Sequence, residues 1–264
     1  MIDVQAPMGR IQRYQTDVDL IFCIDCTESM APVINTVKNL VKNLFDDVEE
    51  AMSKGGRPVR NFRTKIISFR DYYCEGAIDD ALTRGQDYNG VRFSMWESRF
   101  YELPDENQDF TACVDTLDAA GGGDEPENAL EALALAMKRL HEDGCEVYSG
   151  NERKRHIVVM FTDASAHELE KSRAGKPKVY PEDMLADFKQ IKEAWEGISQ
   201  ERSTENYVMD SRAKRLVVFA PLDSYPWSEI GDWSLTTPVS IEPAMGGREL
   251  DKQAIIDTLV GSMT

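Results

Sequence analysis

The chain has 264 residues, 42% hydrophobic and 29% charged, the make-up of a globular protein long enough to bury a substantial core. Its 47 acids against 30 bases give a net charge of −17. That balance argues against nucleic acid as a partner, since phosphate binding needs clustered Lys and Arg, and favours cations or basic protein surfaces. No apolar run approaches the ~20 residues of a membrane span, and the first residues lack the apolar centre of a secretory signal, so no membrane contact and a cytoplasmic location are expected.

Residues 1–17 read as an N-terminal extension, and 18–264 as one domain, without repeat, linker or low-complexity tract. The run VDLIFCI at 18–24 is short, apolar and flanked by polar residues, as in a strand buried on both faces of a parallel sheet. It leads into Asp25-Cys26-Thr27-Glu28-Ser29. Asp25, Thr27 and Ser29 fall at alternate positions just past the strand end. One carboxylate and two hydroxyls are hard oxygen donors, suited to Mg²⁺ or Mn²⁺ rather than Zn²⁺. Taken alone, the same residues would serve as helix caps.

A helix should follow Ser29, because Met30, Val33, Ile34, Val37, Leu40, Val41, Leu44, Phe45 and Val48 recur at steps of three and four. Pro32 is placed in its first turn. Residues 63–73 read as a second central strand, and 90–103 as a shorter antiparallel edge strand. A short helix is expected over 110–117. Gly121-Gly122-Gly123-Asp124-Glu125-Pro126-Glu127 then combines free access to positive φ with three acids. Pro126 is read as the first residue of the next helix, whose apolar face is Leu130, Leu133, Met137 and Leu140.

The apolar run 157–161 is a third central strand, ending in Thr162-Asp163-Ala164. A helix is expected within 180–198, a buried strand over 215–222, a short irregular or helical segment over 224–235, a last strand over 238–241 and a closing helix over 250–263. The cysteines are five in number and, with no secretory signal, read as free thiols. Cys23 and Cys26 form a CxxC, but no second CxxC or paired histidine accompanies it, so zinc and redox chemistry are set aside. His141, His156 and His167 lack ligand spacing and read as surface or packing residues.

Strands alternating with helices specify an α/β fold: a doubly wound, mainly parallel central sheet with helices on both faces and one antiparallel edge strand. The 18–24 strand should lie in the middle, flanked by the strands at 63 and 157, with the one at 215 beyond the latter. Such sheets bind ligands beyond the carboxyl ends of their strands, where the strand order reverses. Asp25, Asp163 and the glycine-rich acidic loop can all reach that edge.

The DxTxS of Asp25, Thr27 and Ser29, the Thr162-Asp163-Ala164 turn and the acidic loop together resemble the metal-ion-dependent adhesion site, MIDAS, of von Willebrand factor A domains. There the first motif is commonly DxSxS, a middle loop gives a threonine or an acid, and the last aspartate often stands in a T-D-G turn. The loop GGGDEPE is similar to the acidic variant. The resemblance covers 18–264. DCTESM with FRDY at 69–72 is most similar to the domains found with alpha-kinases and in bacterial tellurite-resistance-type operons. It implies metal ligands Asp25, Thr27, Ser29, Asp163 and either Asp124 or Glu127, holding Mg²⁺, or else Mn²⁺ or Ca²⁺.

The implied function is a non-enzymatic, metal-dependent protein–protein interaction module, an adaptor or regulatory subunit. Its partner would be a protein with a basic surface and an acidic side chain completing the metal shell; kinase, phosphatase or ATPase partners follow by family resemblance. The alternative is a metal-assisted phosphohydrolase with Asp25 as phosphoryl acceptor. Against it, Thr27 stands where an aspartate-nucleophile DxD motif has its second acid, and no catalytic Lys, His or Cys is placed by a motif. Finally, the stretch 102–127 holds nine acids and no Lys or Arg, so the rim of the site should be strongly negative.

Overall fold

The computed structural model describes residues 15–55, 58–72, 94–122, 125–144, 152–174, 180–241 and 252–263. Its centre is a sheet of seven strands. These are β1 (Gln15–Asp25), β2 (Val59–Phe69), β3 (Met95–Glu97), β4 (Tyr101–Leu103), β5 (Glu152–Phe161), β6 (Lys214–Ala220) and β7 (Thr236–Ser240). The order is β3-β2-β1-β5-β6-β7, with β4 also on β2. β1 runs parallel to both β2 and β5, β5 parallel to β6, and β6 parallel to β7. β1 is therefore central, with the neighbours its sequence implied. The expected antiparallel edge strand is two three-residue strands, β3 and β4, both antiparallel to β2.

β1 is buried on both faces, and its alternating side chains feed two cores. Val18, Leu20, Phe22 and Ile24 pack on one side with α1 (Ile34–Lys54), α2 (Asn107–Asp115) and α7 (Lys252–Met263). Ile21 and Cys23 pack on the other with α3 (Ala129–Glu142) and α5 (Phe188–Trp195). α1 buries Ile34, Val37, Leu40, Val41, Leu44, Phe45, Val48 and Met52 along one face, each such side chain stabilising the fold by about 2 kcal/mol. Two shorter helices, α4 (Leu169–Ala174) and α6 (Trp227–Ile230), sit near the carboxyl edge.

Several boundaries differ from expectation for local reasons. β1 begins at Gln15, so part of the expected extension is strand; residues 1–14 lie outside the described residues. α1 starts at Ile34, after a 3-10 turn at Glu28–Met30, which leaves Pro32 ahead of the helix. Pro126 also stands ahead of its helix, three residues before Ala129. The helix expected within 180–198 is only Phe188–Trp195, because Asp187 caps it by accepting from Gln190 N at 2.8 Å. Cys23 and Cys26 are free and fully buried, in opposite cores. His156 and His167 are buried and His141 is exposed. Among the described residues no helix is long and apolar enough to cross a membrane.

Candidate metal centre

The carboxyl ends of β1, β2 and β5 come together because all three run parallel with nearly level register, Asp25 opposite Phe69 and Ile24 opposite Phe161. The segments that follow these strands therefore share one edge. Asp25 is fully buried. Its Oδ1 accepts hydrogen bonds from Thr27 N at 2.9 Å and Thr27 Oγ1 at 2.6 Å. Its Oδ2 accepts from Thr162 Oγ1 at 2.7 Å. Thr27 Oγ1 lies 3.0 Å from Ser29 Oγ, and Ser29 Oγ donates to Asp163 Oδ1 at 2.8 Å. Thr162, Asp25, Thr27, Ser29 and Asp163 thus form one continuous arc of oxygens. Thr27 is extended and its hydroxyl caps no helix, so capping does not account for it.

The middle loop closes on this arc. Gly121 and Gly122 have φ of 75° and 85°, a region in which only glycine is comfortable. A Cβ on Gly122 would stand 3.1 Å from Thr27 Cγ2 and 3.3 Å from Glu127 Oε1, so glycine also permits the close approach. Gly121 O accepts from Glu28 N at 3.0 Å, and Cys26 O from Ala120 N at 2.9 Å. Glu127 is seated by its backbone: its N donates to Ser165 O at 3.0 Å and its O accepts from His167 N at 2.8 Å. Its side chain is 5% exposed, and its Oε2 has no hydrogen-bond partner.

Of the expected ligands, Asp25, Thr27, Ser29 and Asp163 meet directly, and Glu127 adjoins Thr27. Asp124 lies outside the described residues. Thr162, which its sequence marks only as part of the T-D-A turn, holds Asp25 through its hydroxyl. The FRDY segment at 69–72 supports the site as well. Arg70, 4% exposed, donates through Nε to Ala120 O at 2.5 Å and through Nη2 to Asp118 O at 2.8 Å, tying the middle loop to β2. Asp71 is fully buried, 3.4 Å from His167 Nε2. Asn128, also fully buried, donates from N to Arg70 O and from Nδ2 to Ser172 Oγ, and accepts from Tyr72 N. The signal for Asp71 was available: it follows a buried strand, as Asp25 and Asp163 do.

The electrostatics are those of crowded, partly dehydrated carboxyls. Burial pushes Asp25 up to about 6, against the hydrogen bonds from Thr27 and Thr162; Asp163 adds to the rise. Burial, then the charges of Asp25 and Asp71, a hydrogen bond shared with the Asp71 carboxyl and the charge of Asp163, hold Glu127 well above the usual carboxylate range. Asp163 is raised by burial, opposed by Ser29 and reinforced by Glu125. Among the described residues no three His, Cys, Asp or Glu side chains form a metal-holding group by themselves. The donors are mixed instead, with the hydroxyls of Thr27 and Ser29 between the carboxyls of Asp25 and Asp163. Oxygen donors of this kind, with an orphaned buried carboxylate oxygen beside them, fit a hard divalent cation.

Comparison with family models and with curated proteins finds no match. Among solved structures the chain is similar to the pilus adhesin SpaC from Lactobacillus rhamnosus GG in its open conformation, at TM-score 0.47 and 12% identity over 96% of this chain and 30% of that one. It is also similar to proximal thread matrix protein 1 from the mussel byssus, at TM-score 0.39 and 11% identity over 94% of this chain and 46% of that one. The chain spans less than half the length of either structure.

Proposed function

We propose that this chain is a non-enzymatic, metal-dependent protein–protein interaction module of the von Willebrand factor A type, acting as a cytoplasmic adaptor or regulatory subunit. The observation that carries the reading is the arc from Thr162 through Asp25, Thr27 and Ser29 to Asp163, closed by the unpartnered Oε2 of Glu127. Asp25, Thr27, Ser29, Asp163 and Glu127 would hold the ion, Mg²⁺ first by donor type and Mn²⁺ or Ca²⁺ next, some of them through water. When bound, the ion supplies a Lewis-acid position that an oxygen from a partner or from water completes. Thr162 fixes the Asp25 carboxyl from behind, and Arg70 fixes the middle loop. The free, buried thiols of Cys23 and Cys26 suit a reducing compartment.

The interaction reading is supported over the phosphohydrolase by the residue beside Asp25. Thr27 Oγ1 donates to Asp25 Oδ1 at 2.6 Å, so a hydroxyl stands beside Asp25 where an aspartate-nucleophile site has its second acid. Calorimetric titration with Mg²⁺, followed by capture of partners from a host lysate with and without chelator, tests the proposal. Saturable uptake with stoichiometry near one, and capture that chelator abolishes, are expected. Absence of uptake, or phosphatase turnover by the loaded protein, would overturn it.

A further inference from the structure

A second recess lies at the opposite end of the sheet from the proposed metal site. It is a cavity of about 450 Å³, within the roughly 300–1,000 Å³ usual for small-molecule sites. Its walls are residues 17–19 of β1, 60–63 of β2, and 102–105 at the end of β4 and the turn after it. No residue of the metal arc lines it.

The charged side chains around the cavity do not balance. Asp17 and Asp19 are 4% and 1% exposed. Asp17 accepts from Arg60 and Asp19 from Arg63, so these two pairs cancel. Glu102 and Asp105, on the facing wall, are exposed and have no ion-pair partner among the described residues. The cations within reach along the chain and across the sheet are engaged elsewhere. Arg99 pairs with Glu106 at 2.7 Å and with Asp109 at 3.3 Å. Arg63 is opposite Glu102 in the sheet register, but gives its Nε to Asp19 and its Nη2 to Asp143 O at 2.9 Å. Four carboxylates against two guanidiniums thus leave two negative charges in surplus, both on the 102–105 wall. Leu103 and Pro104 stand between those two acids and give the same wall an apolar stretch.

We infer that this cavity binds a small aliphatic diamine, its two ammonium groups on Glu102 and Asp105 and its methylene chain along Leu103 and Pro104. Two ammonium charges match the surplus, and the methylenes match the apolar surface between the acids. A concave wall with one sign in excess concentrates the field, and a chain of net charge −17 draws cations towards it. A bare metal ion suits the space less well, because Mg²⁺ needs oxygens converging in octahedral geometry and two guanidiniums stand in this wall. The inference is independent of the metal reading, since the two sites share no residue.

The test titrates 1,4-diaminobutane, 1-aminobutane and succinate into the full chain by calorimetry, in saturating Mg²⁺ to keep amines off the carboxyl edge. Saturable uptake of the diamine with stoichiometry near one is expected, with the monoamine at least about tenfold weaker and no uptake of succinate. Glu102→Gln with Asp105→Asn should weaken the diamine at least about tenfold, and the fold should persist because both side chains are exposed. Asp46→Asn with Glu49→Gln removes the same charge from exposed positions on α1 and should leave diamine affinity within about twofold. Absence of diamine uptake, equal affinity for the monoamine, preference for succinate, or equal loss in the two double variants would overturn the inference.

Discussion

β1 carries buried aspartates at both ends, and their surroundings differ in one respect. At its amino end Asp17 accepts from Arg60 Nε at 2.8 Å and Asn61 Nδ2 at 3.0 Å. Asp19 accepts from Arg63 Nε at 2.7 Å and stands 3.6 Å from His156 Nε2. The sheet register sets these pairs, since Asp19 is opposite Arg63 on β2 and His156 on β5. At the carboxyl end Asp25 is as deeply buried, but its hydrogen-bond partners are a backbone N–H and neutral hydroxyls. A buried carboxylate beside a guanidinium is a finished structural element. One beside hydroxyls only is short of a positive charge. A cavity of about 450 Å³ opens at the amino edge, lined by Asp17, Asp19, Arg60 and Arg63 among others, so the carboxylates there meet their guanidinium groups beside an open space.

Swapping the perturbation between the ends should give opposite results. Asp25→Ala is expected to weaken Mg²⁺ binding by more than about 100-fold in calorimetric titration, with the fold retained because β1 and α1 keep their apolar faces. Asp19→Ala should leave Mg²⁺ affinity within about twofold but lower stability by about 2 kcal/mol in urea unfolding, because Arg63 and His156 lose their carboxylate. The figure sits below that of a fully buried pair because the Arg63 side chain is 26% exposed. Loss of metal binding in Asp19→Ala, or loss of stability alone in Asp25→Ala, would erase the distinction.

A milder change sharpens it. Asp25→Asn removes a charge that the metal-free protein holds at a cost, so it should raise metal-free stability at pH 7 by about 1–2 kcal/mol. The sign follows from a folded pKa raised to about 6 from 3.8: the destabilisation is full above pH 6 and fades as the pH falls towards 3.8. The gap between variant and wild type should therefore close between pH 7 and pH 4, as read by thermal unfolding. A constant gap would mean that Asp25 ionises normally.

The smallest effect belongs to the exposed member of the arc. Ser29→Ala should cost about tenfold in Mg²⁺ affinity and less than about 0.5 kcal/mol in stability, since Ser29 bridges Thr27 to Asp163 from an exposed position.

The strand order, with β1 central, was legible because each central strand is a short apolar run and the helices between them fix parallel crossovers. The DxTxS, T-D-A and glycine-rich segments were legible as one edge for the same reason. What the sequence hid is the support of the site. Arg70 looks like any strand-end arginine until its guanidinium reaches two carbonyls of a loop about fifty residues away. Asn128 follows a run of acids and carries no periodic signal, yet it joins β2's end to α4. Such contacts depend on three-dimensional closure and leave no periodic trace. The Asp187 cap shortened its helix for the opposite reason, a local hydrogen bond prevailing over an apolar pattern that runs on through Met184 and Leu185.

The account stands on the carboxyl end of β1 being a cation site. The most direct test is an anomalous difference map from crystals of this chain soaked in Mn²⁺. The account predicts one dominant peak within coordination reach of Asp25, Thr27, Ser29, Glu127 and Asp163, with none at the Asp17–Arg60 and Asp19–Arg63 pairs. Absence of a peak at the arc, or a stronger peak elsewhere on the chain, would contradict it.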